Sequence, residues 1–71
     1  MDGGVMAKLT NRQREIVRLL AAGCSQKEAA RRLGIAYGTV RKHTLAARTR
    51  ADCRSTIEIV ARAVDEERGK K

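Results

Sequence analysis

Arg41, Lys42, His43, Arg48 and Arg50 lie within one short stretch, and no carboxylate stands among them. The acid-free region is longer still: from Ala29 to Ala51 there is no Asp or Glu, against six Arg or Lys. Such side chains form charge-assisted hydrogen bonds to phosphate, and Arg also makes paired bonds to the major-groove edge of guanine. A merely solvated helix face normally mixes both signs of charge. An unmixed one points to a polyanion, with nucleic acid the first candidate and an anionic membrane the second. Other reactive groups do not converge. His43 is the only histidine and lies ten residues from Cys53, without the spacing of a zinc site. No Ser, Cys or carboxylate is placed to make it a general base. No enzyme, metal, cofactor or small-molecule ligand is therefore expected. Cys24 and Cys53 form no CxxC pair. They read as free, partly buried thiols in a reducing cytosol, with a disulfide or redox switch as the alternative.

The elements that must position the cationic stretch are marked by their caps. "TNRQ", "SQKE" and "STIE" each put a hydroxyl at an N-cap and Gln13, Glu28 or Glu58 three residues on. In such a capping box the two side chains satisfy orphan backbone donors reciprocally. The spacing predicts helices over about Asn11 to Ala22, Gln26 to Leu33, Tyr37 to Arg50 and Thr56 to Glu66. Gly23 and Gly34 sit where helix ends favour glycine. Ile16, Leu19 and Leu20, with Val17 beside them, form the buried stripe of the first helix; Ala29, Ala30 and Leu33 face inward from the second. The fold class is all-α, with four helices. A short second helix, a "GIA" turn whose Ile35 plugs the core, and a third helix make a helix-turn-helix.

In that motif the second helix of the pair enters the major groove. On a 3.6-residue period Val40, Thr44, Ala47 and Ala51 line one side, leaving Arg41, Lys42, Leu45, Arg48 and Thr49 elsewhere. Arg41 and Lys42 are placed to reach base edges, Arg48 and Arg50 to reach phosphates. Thr39 and the free amides of the helix start suit a phosphate oxygen. Gly38 allows close approach of a DNA backbone, at a cost of roughly 1 kcal/mol relative to Ala. His43 is either a surface or packing histidine or a phosphate contact. Tyr37 either covers the turn or meets a phosphate or a thymine methyl.

The fourth helix has apolar residues on more than one side. Ile57, Val60, Ala61 and Val64 form one stripe, and Ile59 and Ala63 extend it onto an adjacent face. A helix-turn-helix body covers one such face, so a two-fold dimer through Ile57, Ile59, Val60 and Ala63 is expected. The alternative is a thin core that wraps the helix more fully.

With 71 residues and a formal charge of +8, the chain makes one domain with a small core. Leu, Ile and Val must build that core against Ala, because Phe and Trp are absent. Residues 1–8 read as a flexible lead-in, 9–66 as the DNA-binding domain and 67–71 as a charged tail. No segment is apolar enough to span a membrane or reads as a signal peptide, so a cytoplasmic location is expected.

"LTNRQREIVRLLAAGCSQKEAARRLGIAYGTVRKH" resembles the DNA-binding domain of LuxR/GerE-type transcriptional regulators, over about Leu9 to Val64. The resemblance implies a four-helix domain on duplex DNA, with the third helix in the major groove and the fourth dimerising. It implies base or phosphate contacts for Arg41 and Lys42, backbone docking for Thr39 and His43, and structural roles for Arg12 and Glu15. Several positions depart from the pattern. Leu45 stands where relatives often place a polar DNA contact, Ala36 replaces a Ser N-cap, Ala51 a core Leu, and Asp52 commonly a Gly. The start at Met1 and the length favour a stand-alone regulator over an excised module. Two other functions fit the same residues. "GTVRKHTLAARTR" also resembles the recognition helix of a sigma factor's promoter-reading module, which acts with RNA polymerase and needs no dimer. A protein-interaction adaptor could use the same fold to hold an acidic partner.

Overall fold

The computed structural model describes residues 4–69, as a short 3-10 turn η1 (Met6–Lys8) followed by α1 (Asn11–Ala21), α2 (Gln26–Leu33), α3 (Tyr37–Arg50) and α4 (Thr56–Arg68). All described regular structure is helical, as the periodicity and caps predict. The lead-in and tail expectations at Met1 to Gly3 and at Lys70 and Lys71 lie outside the described residues.

The helix starts differ in quality. Thr10 and Gln13 close a complete capping box, with Gln13 N–H donating to Thr10 Oγ1 at 3.1 Å and Thr10 N–H to Gln13 Oε1 at 3.0 Å. Ser25 and Glu28 do the same at the start of α2. The third box is only half closed. Ser55 Oγ accepts from Glu58 N–H, but the Glu58 carboxylate accepts from the N–H of Arg54, one residue earlier. Ser55 is strongly extended, at φ −147°. At α3 the N-cap is Ala36, and no side chain caps the helix.

The first three helices end alike. In each, the N–H two residues past the final turn reaches back across it: Cys24 to the Leu19 carbonyl, Ile35 to Ala30, Cys53 to Arg48. This termination needs a left-handed residue just before that N–H. Gly23 and Gly34 supply it at φ 108° and 69°, where glycine carries no Cβ penalty, whereas α3 uses Asp52 at φ 58°. Asp tolerates this region better than most side chains but less well than glycine.

The core lies on both sides of α1. Ile16 packs with Ala29, Ala30 and Val40, and Leu19, Leu20, Leu33 and Ile35 border them, so Ile35 does plug the helix-turn-helix. Val17, one residue on, faces the other way. It joins Val5, Leu9, Ala47, Ala51, Cys53, Ile59 and Ala63. Alanines at 29, 30, 47, 51 and 63 let the helix backbones come close, which is how a chain without Phe or Trp fills its interior.

Two expectations are corrected here. The lead-in is structured from residue 4: Val5 is buried in the core, and the Glu66 carboxylate on α4 accepts from the N–H groups of Val5 and Met6. Arg14 donates to the Met6 and Leu9 carbonyls at 3.0 and 2.9 Å, and Arg50 to the Lys8 carbonyl at 2.9 Å. The apolar segment thus serves as a strap whose backbone groups are paired by charged side chains. On α4 the inner and outer faces are exchanged. Ile59 and Ala63 are buried, Val60 and Val64 lie at the boundary, and Ile57 is 81% exposed with Ala61 beside it. Ile59 and Ala63 face α1 and the strap, so neither is available to a second copy.

Candidate nucleic-acid interface

α3 is anchored by Val40, Thr44 and Ala47, all buried, with Ala51 just beyond its end. Thr44 is a polar residue in that row, and its hydroxyl donates to the Val40 carbonyl at 2.9 Å. This satisfies the buried hydroxyl without any partner from another helix. With one side fixed, a period of about 100° per residue turns Gly38, Lys42, Leu45, Ala46 and Thr49 outward. All five are exposed. Arg41 flanks this strip on the side of α4, while Thr39, His43 and Arg50 flank it on the other.

The five basic and imidazole side chains therefore have different duties. Arg41 and Lys42 are exposed, and no hydrogen bond or ion pair holds either of them among the described residues. His43 and Thr39 are half-buried at the edge. Arg48 is also half-buried, and its Nη2 donates to the Arg54 carbonyl, bracing the loop into α4. Arg50 Nε donates to the Lys8 carbonyl. The expectation of two phosphate-reaching arginines at the end of α3 is thus qualified: both hold backbone carbonyls of the protein, and only Arg50 remains exposed. The stretch from Ala29 to Ala51 contains no acid that could neutralise this face.

Leu45 is 51% exposed in the middle of the outer strip, where an apolar side chain gains nothing from water. Tyr37 is 44% exposed, and Lys27 Nζ stands 5.8 Å from its ring centre, which ties the start of α3 to α2. Neither the Lys27–Tyr37 contact nor the strap follows from helical periodicity. The signal for the strap is the apolar spacing of Val5, Met6 and Leu9, which the adjacent glycines obscure.

The outer strip has small residues at 38 and 46, a cationic flank and a brace at each end. This is the shape of a recognition helix. A family model described as "Sigma-70, region 4" matches residues 4–50, more than half of the chain. The chain belongs to the Sigma-70 region 4 family. The match begins at the strap and ends with α3, so it covers the whole helix-turn-helix, and α4 lies beyond it. The chain is thus a helix-turn-helix domain of a DNA-binding class. Neither the curated proteins nor the solved structures contain a significant match. The family found is the one expected as the alternative to LuxR/GerE-type regulators; the two expectations share the helix-turn-helix.

Acid and thiol chemistry at the margins is structural. The Ser25 backbone N–H holds Glu28 below the ordinary glutamate range; partial desolvation opposes this, and Arg31, the Ser25 hydroxyl and Arg32 assist. Burial pushes the Cys53 thiol up, and the Glu58 carboxylate adds to the effect. Both cysteines are free thiols, Cys53 buried and Cys24 half-buried. Among the described residues no His, Cys, Asp and Glu group could hold a metal, and no helix is long and apolar enough to cross a membrane.

Proposed function

We propose that this domain reads duplex promoter DNA, with α3 in the major groove, as a module that works with RNA polymerase. The observation that carries the reading is the acid-free outer face of α3 in a chain of the Sigma-70 region 4 family. Arg41 and Lys42 make the base contacts in this reading. Thr39, His43 and the uncapped amides at the start of α3 dock against a phosphate, a use for which the missing side-chain cap at Ala36 leaves them available. Leu45 meets a thymine methyl, Tyr37 borders the backbone, and Arg50 supplements its hold on Lys8 with a phosphate contact. Arg48 acts from behind by bracing α3.

A second reading is a LuxR/GerE-type regulator that binds DNA as a homodimer through α4. One observation favours it: Ile57 is 81% exposed beside an apolar groove of about 410 Å³ lined by Leu20, Cys24, Val60 and Ala61. Of the four residues expected at the dimer contact, Ile57 and Val60 retain that role.

Selection of bound sites from random duplexes, followed by sedimentation of the complex, tests both. The promoter-module reading predicts a single non-palindromic site occupied by a monomer. A palindromic site occupied by two copies would instead support the dimeric regulator, and no enrichment of any sequence would overturn both.

A further inference from the structure

A polar notch of about 80 Å³ lies where α2, α3 and the start of α4 meet, lined by Gln26, Arg41, Thr44, Leu45, Arg48 and Thr56. Two buried atoms of these residues have no hydrogen-bond partner among the described residues: Gln26 Oε1, an acceptor, and Arg48 Nε, a donor. Arg41 and Thr56 also line the notch, but neither bonds to Gln26 Oε1 or Arg48 Nε. The Thr44 hydroxyl is committed to the Val40 carbonyl, Arg48 Nη2 is committed to Arg54, and Leu45 is apolar. Leaving a buried donor or acceptor unmade is costly, and native interiors seldom tolerate it.

We propose that Gln26 and Arg48 are joined through an ordered water held in this notch. The chemistry selects the ligand. An anion accepts hydrogen bonds but does not donate, so it could pair with Arg48 Nε and would leave Gln26 Oε1 unmet. A cation would face two arginines. Water both accepts from Arg48 Nε and donates to Gln26 Oε1, and bridging waters of this kind are nearly as favourable as direct bonds. The notch exceeds the volume of roughly 30 Å³ that one water occupies in the liquid, so it has room for the bridge. The consequence is a continuous polar line through three elements. Gln26 is the first residue of α2, the water links it to Arg48 of α3, and Arg48 continues the line to Arg54 before α4. Gln26 is therefore a positioning residue, setting how α3 sits against the start of α2.

NMR of the intact chain with 15N-labelled arginine tests this without reference to DNA. The Arg48 Nε–H should be protected from exchange at least tenfold relative to that of exposed Arg41, with a cross-peak to a long-lived water. Gln26→Met, of similar length but without a hydrogen-bonding end, should lose the cross-peak. Gln26→Glu, which keeps the acceptor, should retain it. An Arg48 Nε–H that exchanges as fast as that of Arg41 would overturn the proposal, as would a cross-peak that survives in Gln26→Met. A saturable shift of this resonance with inorganic phosphate, accompanied by loss of the water signal, would assign the notch to an anion and equally overturn it.

Discussion

Arg41 and Lys42 stand exposed on α3 with no hydrogen-bond or ion-pair partner among the described residues, whereas Arg48, two turns beyond Arg41 on the same edge, is braced against the Arg54 carbonyl. That difference separates their mutants. Arg41→Ala or Lys42→Ala should weaken specific DNA binding by roughly 1–3 kcal/mol in fluorescence anisotropy and leave thermal stability nearly unchanged. Arg48→Ala should lower the melting temperature, because it removes a charged donor from a backbone carbonyl. Glu28 gives a pH signature. Its pKa is depressed in the folded state, chiefly by the Ser25 N–H, so the stability it confers is present above the ordinary glutamate value and is lost as pH falls through the lower folded value. Melting curves of Glu28→Gln and wild type should therefore differ at neutral pH and converge in that acidic window.

Among the helices, α3 has the least favourable ends, and both defects are local. Ala36 leaves its start without a side-chain cap, and Asp52 occupies the left-handed position that glycine fills after α1 and α2. Ala36→Ser should stabilise the fold by about 0.5–2 kcal/mol, and Asp52→Gly by about 1 kcal/mol, both read as an increase in the urea midpoint. Ala36→Ser should also compete with a phosphate for the free amides and weaken DNA binding, whereas Asp52→Gly should leave binding unchanged. The helix boundaries were legible in the chain because capping residues and end glycines are local signals. α2 and α3 fall where their caps and periodicity put them, and α1 and α4 differ by one and two residues. The orientation of α4 was not legible. Apolar residues at 57, 59, 60, 61, 63 and 64 surround most of the helix, and the choice of Ile59 as the inward residue depends on α1 and the strap, which are distant in sequence. For the same reason the bracing bonds of Arg48 and Arg50 were not legible: their carbonyl partners are set by tertiary folding.

A molecule of this size has little stability to spare, about 3–5 kcal/mol for a lone small domain. Ile59→Ala removes a fully buried side chain at a cost of about 2–5 kcal/mol and should leave the chain largely unfolded by circular dichroism. Ile57→Ala, at an exposed site, should change stability by less than about 0.5 kcal/mol, and its effect on sedimentation reports whether α4 holds a partner. At the same scale, a formal charge of +8, with six basic residues and no acid between Ala29 and Ala51, makes electrostatic attraction the main driving force for association with a polyanion. The most direct test of DNA reading by this face is therefore the affinity for a selected duplex, measured from low to high salt. The logarithm of the association constant should fall linearly with the logarithm of salt concentration, by about −0.9 for each phosphate neutralised, with a slope that becomes shallower by about one such step in Arg50→Ala. Binding that is independent of salt, or absent at low salt, would contradict a DNA-reading role for α3.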